Sequence, residues 1–328
     1  MVSPIATNIT EIFRNPRVLS GAAIVSGLVG LLALFFINNV YVQVYPLMLL
    51  FAGLLSMYTL SSRKEKLSLD FRLGTLLDFR LGTLIYLAFL LSMCLTVLMY
   101  VRSDFSRGLL VYISIIIMYV TGLLSALRIQ NLYLSVFILV AAGIVHRATV
   151  FYGGPLILGN DPLWHNRIAE EIIISRSLHP LIEEQSKYYY SPLYHIFVGS
   201  GTIIFNTNIR NVSFLLITIP YVFVPSFVLL SLAQNYFNHY VGIIAVFLFV
   251  TADSTVGWSV LPSTTTLGVT TGSICVYLLV KHLQNRRYIY QILLLPLFMV
   301  VLATHQVSAF ITACALTLIW GFYTIYEI

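Results

Sequence analysis

GNDPLWHNRIAEEIIISRSLHPLIEEQSKYYYSPLYH, residues 159–195, is the longest polar interruption in a chain that is otherwise mostly apolar. It holds Asp161, Glu170, Glu171, Glu183 and Glu184 out of 12 acidic residues, and His165, His179 and His195 out of 7 histidines. Ionisable chemistry is gathered here, which leaves the remainder to be read as membrane. Asp161 is placed to cap a helix and Pro162 suits a first helical position, because it has no N–H to leave unsatisfied. The pattern predicts a helix from Leu163 to about Ser175. On it Trp164, Ile168 and Ile172 recur at four-residue spacing as an apolar stripe, with His165, Asn166, Glu170 and Glu171 away from it. Such a helix lies in the membrane interface rather than across it.

Working outward, charged residues make up 9% of the chain and hydrophobic ones 59%, with a mean hydropathy of +0.91. Ordinary soluble proteins carry about 25% charged residues. The composition predicts an all-α, polytopic membrane protein. The net charge of +6 is no nucleic-acid footprint, since the basic residues are spread over short loops where they set topology. Cys94, Cys275 and Cys314 sit singly in apolar runs, so neither a disulfide framework nor a zinc site is indicated.

A span needs roughly 17 to 25 apolar residues. Segments of that kind run at 18–38, 41–60, 83–101, 108–127 and 131–150, and again at 212–233, 240–254, 264–281, 289–304 and 306–326, about ten in all. Residues 191–205 are short for a span and read as lying flat. Arg63, Lys64, Lys66, Arg72 and Arg80 place the second loop, and with it the N-terminus, in the cytoplasm. The polar stretch then falls outside the cell membrane. LDFRLGTL occurs twice in tandem within 69–84, a period that matches no repeat fold.

Several residues carry two readings in the sequence. Asp161 and His165 are four apart and can share a proton or a metal, or Asp161 is only a cap. Arg167 either holds a phosphate or faces lipid headgroups, and Lys187 is placed to contact a lipid phosphate. Tyr188, Tyr189 and Tyr190 fit an interfacial aromatic belt or a sugar platform. Arg147, near the end of a span, reads as snorkelling to the headgroups. Asp253 and His305 come out at span ends on the same external side, which makes them functional candidates.

NDPLWHNRIAEEI at 160–172 resembles the first external loop of the membrane-embedded GT-C glycosyltransferases, oligosaccharyltransferase catalytic subunits and protein mannosyltransferases among them. YYYSPLYHIFVGSG at 188–201, TADSTVGW at 251–258 and THQVSAFI at 304–311 resemble further segments of archaeal-type members, in the same order. The resemblance divides the chain into an N-terminal four-span extension, 1–130, and a GT-C-like region, 131–328, with a catalytic loop at 151–210. It implies transfer of a sugar from a polyprenyl-phosphate-type carrier to an acceptor at the extracytoplasmic face. Asp161 and His165 would be catalytic, Arg167, Lys187, Tyr190, His195 and His305 substrate-binding, and Asp161 with Asp253 would hold a divalent cation, Mg or Mn. Expected partners are the lipid-linked donor and membrane lipid, with no nucleic acid. The sequence stops directly after a span where the family continues into a soluble domain, so a truncated or simpler enzyme is expected. A transporter of a lipid-linked or small polar solute and a non-catalytic assembly partner are the alternatives.

Overall fold

The computed structural model describes residues 24–25, 75–129, 131–154, 159–184 and 187–327, and the architecture is that of the unit Leu76–Ile328. The described residues are helical, with no strand among them. In chain order the helices are α1 (Thr75–Arg102), α2 (Leu109–Arg128), α3 (Leu132–Phe151), α4 (Asn160–Ser175), α5 (His179–Glu183), a 3₁₀ turn (Lys187–Tyr190) and α6 (Leu193–Phe205). There follow α7 (Ile209–Ser213), a π-helical turn (Phe214–Thr218), α8 (Ile219–Tyr236), α9 (His239–Thr251), α10 (Asp253–Val260), α11 (Thr264–Asn285), α12 (Tyr288–Thr304) and α13 (Gln306–Glu327).

Among the described residues six helices are long and apolar enough to cross a membrane: Leu81–Arg102, α2, α3, the run Ile209–Tyr236, α11 and Gln306–Thr324. The expected spans at 18–38 and 41–60, and most of the tandem repeat, lie outside the described residues. Two other expected spans differ. The one at 240–254 is broken, because α9 and α10 meet at a 56° bend, and α12 is a shorter apolar helix. Residues 193–205 form a 13-residue helix, too short to span unaided. The outward faces are apolar: on α2, Ile113, Ile116, Ile117 and Val120 are each more than 40% exposed, a stripe suited to lipid and not to water.

Local chemistry sets the ends. Asn131, Asn208 and Asn238 each accept a hydrogen bond from the backbone N–H three residues on, opening α3, α7 and α9. Arg176, Asn206 and Arg286 take left-handed backbone conformations that close α4, α6 and α11. One apolar core joins α1, α2, α3, α8 and α9 through Phe89, Met118, Leu139, Val222 and Val250. A second gathers α4, α6 and α7 around Ala169, Tyr194, Val198 and Val212.

Arg147 does not snorkel. It is fully buried, and its guanidinium bridges α3 to the broken span. Nε donates to Ser259 Oγ at 2.6 Å, Nη1 donates to the carbonyls of Gly143 and Val250 at 3.0 Å each, and Nη2 reaches Thr255 Oγ1 at 3.4 Å. The bend at Ala252 leaves carbonyls at the end of α9 without helical partners, and a cation beside that negative helix end meets the need. An ionisable group pointing inward finds its partners there instead of at the headgroups.

Close approach of α11 and α13 rests on glycine. A Cβ on Gly268 would stand 2.6 Å from Ser308, and one on Gly272 would stand 2.5 Å from Thr312. Small residues spaced by four let two helix backbones meet in lipid. Gly268→Val is expected to force the helices apart at a cost of about 1–3 kcal/mol, read as a lower thermal unfolding midpoint in detergent. An unchanged midpoint would mean that the pair does not pack as described.

Candidate functional site

The polar stretch folds back on the bundle, and its buried face is not the expected one. The helix starts earlier than predicted: Gly159, at φ +83°, is the N-cap of α4, so Asp161 sits inside the first turn and does not cap. Pro162, His165, Asn166, Ile168 and Ala169 are the residues turned inward, while Trp164 and Ile172 are only partly buried. The stripe through Trp164 therefore gives way to a face containing two polar side chains, because α4 docks on α6 and not on lipid alone. Gly199 permits the docking, since a Cβ there would press on Ile173 at 3.1 Å.

Each buried polar side chain on that face has a partner. His165 Nδ1 lies 3.0 Å from His195 Nε2, and His165 Nε2 lies 3.5 Å from Asp161 Oδ1. Asn166 Oδ1 accepts from the Ser213 hydroxyl at 2.9 Å, beside the π-helical turn. Tyr194, on α6, donates to the Pro262 carbonyl at 3.0 Å and so ties the face to the start of α11. The Asp161 side chain is 69% exposed while His165 and His195 are fully buried, which makes a line from solvent into the protein.

Charge fixes the protons along that line. A carboxylate only accepts, so its proximity favours a proton on His165 Nε2 and leaves Nδ1 as acceptor for His195 Nε2–H. The His195 Nδ1 lone pair is then left over; it is buried and meets no hydrogen-bond partner among the described residues. Burial, reinforced by His165, pushes His195 down to about 3. Burial also raises Tyr194, helped by the negative charge of Asp161.

Tyr188 is the hub that the sequence does not announce. Instead of lining the interface with Tyr189 and Tyr190, its ring packs edge-on to His165 at 4.8 Å, 6.0 Å from both Trp164 and His195, and stacked on His305 at 6.3 Å. His305 is buried at the join of α12 and α13. Its Nδ1 accepts from the Ser308 backbone N–H at 3.2 Å, which leaves the proton on Nε2, 3.4 Å from Thr265 Oγ1. Asp161, His165, His195 and His305 are thus brought together, although they come from three separate helical segments. No spacing rule singles out Tyr188.

The other candidates have different surroundings. Arg167 is half-exposed and bound to Glu184 at 2.6 Å and Glu171 at 3.5 Å, and the Glu184 bond pushes its pKa up and that of Glu184 down. Tyr190 is 80% exposed and touches Tyr189. Lys187 lies in the 3₁₀ turn, and its side chain is outside the described residues. Asp253 is exposed at the first residue of α10. Among the described residues no three His, Cys, Asp or Glu side chains are grouped as metal ligands. Comparison with protein-family models, with curated proteins and with solved structures found no match.

The neutral, buried His195 makes stability depend on pH. Unfolded, its imidazole takes a proton near pH 6.5, whereas folded it resists protonation to about 3, so the unfolded state binds the extra proton between these values. Native stability should fall as pH drops through that window, by up to about 1.4 kcal/mol per unit. His195→Asn should flatten the fall in thermal midpoint between pH 7 and 4. A slope unchanged by the substitution would show that another group is responsible.

Proposed function

We propose that this chain is a membrane glycosyltransferase moving a sugar from a polyprenyl-phosphate-type carrier to an acceptor at the extracytoplasmic face. The observation that carries the reading is the line Asp161–His165–His195, an exposed carboxylate seated on two buried imidazoles beside the spans. A carboxylate so placed suits a general base: it can reach an acceptor outside, while the imidazole pair behind it fixes its orientation. Asp161 is the catalytic residue of this reading, with His165 and His195 as positioning residues. The order of the four GT-C-like segments along the chain supports it, and His305, joined to the cluster through Tyr188, brings the last of them to the site.

Magnesium is held by as few as one or two carboxylates together with substrate phosphates. Asp161 and Asp253 are both exposed and are the candidates for that role, while the base chemistry of Asp161 stands without a cation. The direct test is a proteoliposome assay in which a polyprenyl-phosphate sugar is supplied with the purified chain and release of the free carrier phosphate is followed. No release above empty vesicles, across a panel of sugars and acceptors, would overturn the proposal. A transporter is favoured by a different observation, the broken α9–α10 span with Arg147 buried at its bend. That reading expects solute movement that survives loss of Asp161.

Sidedness is tested by labelling. In a cysteine-free background, a cysteine at Glu183 should react with an impermeant reagent from outside, and one at Asn285 should not. Reaction of both from one side would make α6 a span or the bent α9–α10 pair a re-entrant loop.

A further inference from the structure

An open cleft of about 250 Å³ lies between the C-terminal half of α4 and the outer face of α6. Ile172, Ile173 and Ile203 give it aliphatic walls. The surface around it is apolar too: Ile174, Ile203 and Ile204 are 82%, 66% and 76% exposed, which suits acyl chains and not water. Arg176, exposed at the left-handed end of α4, stands in the lining beside Ser177. The Ser177 hydroxyl accepts from the His179 backbone N–H at 3.0 Å and keeps its own proton to donate.

Arg176 differs from the arginine earlier on the same helix. Arg167 is held by Glu171 and Glu184, whereas Arg176 forms no ion pair among the described residues. It also lies away from the carboxylate assigned to sugar transfer, since 15 positions separate it from Asp161, about 20 Å along a helix rising 1.5 Å per residue. A guanidinium presents paired N–H donors that match phosphate oxygens, and the aliphatic walls beside it take hydrocarbon. Charge and apolar surface meet here in the arrangement of a lipid headgroup and its chain. We infer that this cleft seats a membrane phospholipid of net negative charge, its phosphate on Arg176 and one acyl chain along Ile172, Ile173 and Ile203. A phosphate already neutralised by its own headgroup ammonium has less to gain from Arg176. This binding goes beyond sugar transfer and stands whether or not Asp161 is a base.

The experiment places the full chain in vesicles containing phosphatidylglycerol or phosphatidylcholine, each with the same diazirine-bearing acyl chain, and maps the adducts by mass spectrometry. Phosphatidylglycerol should label residues 172–203 about fivefold more than phosphatidylcholine, the gain expected from one arginine facing an anionic lipid. The outward stripe of α2 at 113–120 should show no preference. Arg176→Gln should bring the ratio at 172–203 to about one, and Ser200→Phe, at an exposed position in the cleft lining, should lower labelling there by both lipids. Equal labelling of 172–203 in the unaltered chain would overturn the inference by leaving an apolar cleft only. An equal preference at 113–120 would overturn it in favour of general enrichment of anionic lipid around the protein. A preference that survives Arg176→Gln would take the phosphate off Arg176, and labelling unmoved by Ser200→Phe would take the chain out of the cleft; either sinks the assignment. Because the two-lipid comparison and its control on α2 need only the unaltered chain, failure of a variant to fold leaves the test decisive.

Discussion

Asp161→Asn is expected to lower sugar transfer by about 10²- to 10⁴-fold, the range for losing a general base, with thermal stability nearly unchanged. The two halves of that expectation come from different parts of the structure. Asp161 is not the N-cap of α4 and its side chain is mostly exposed, so the helix does not depend on it. The Asp161 carboxylate stands 3.5 Å from His165 Nε2, and what is lost is a favourable charge near a helix N-terminus, about 0.3–1 kcal/mol. The amide cannot take a proton. Initial rates measured alongside the unfolding midpoint separate the outcomes: an activity within about threefold of the parent would remove Asp161 from the chemistry. Loss of activity together with several degrees of stability would make it structural. His165→Gln provides the companion measurement. A positioning residue should alter the pH profile of transfer as well as its rate, because the carboxylate loses the group behind it.

Hydropathy makes the membrane part of the fold legible, since a run of about 20 apolar residues has few other uses. The six crossing helices among the described residues fall within a few residues of expected spans. The polar stretch is legible as a place but not as a surface. On α4 the side chains that go inside are 162, 165, 166, 168 and 169, a helical face on which Ile168 is the one large apolar member beside proline, histidine, asparagine and alanine. Hydrophobic periodicity passes over such a stripe, because its burial comes from hydrogen bonds to Ser213 and His195 made across the fold. The histidines are legible as residue types that cluster in polar segments. Their meeting point, Tyr188, is in the sequence one of three interchangeable tyrosines. Only the 3₁₀ turn, which directs Tyr188 inward and leaves Tyr190 in the open, tells them apart.

Arg147 escapes hydropathy for a related reason, and it supports the second large effect: Arg147→Lys should destabilise the protein more than Arg147→Met. In a protein interior the charge of a side chain and its hydrogen bonds have to be weighed separately. The guanidinium spreads its donors over Ser259, Thr255 and two carbonyls on different elements, a geometry that a compact ammonium cannot reproduce. Lysine would keep a buried charge with fewer partners or shed its proton, and either costs several kcal/mol. Methionine removes the charge and its desolvation penalty together, and most of the acceptors have other bonds. Ser259 donates to the Val256 carbonyl, Thr255 donates to the Ala252 carbonyl, and Tyr119 donates to the Val250 carbonyl. Its cost should therefore be smaller, about 1–3 kcal/mol for the hydrogen bonds to a charged donor that are not replaced. Unfolding midpoints in one detergent should rank the parent above Met and Met above Lys. If lysine matched the parent, the side chain at 147 would be reaching water, and the bend between α9 and α10 would need another support.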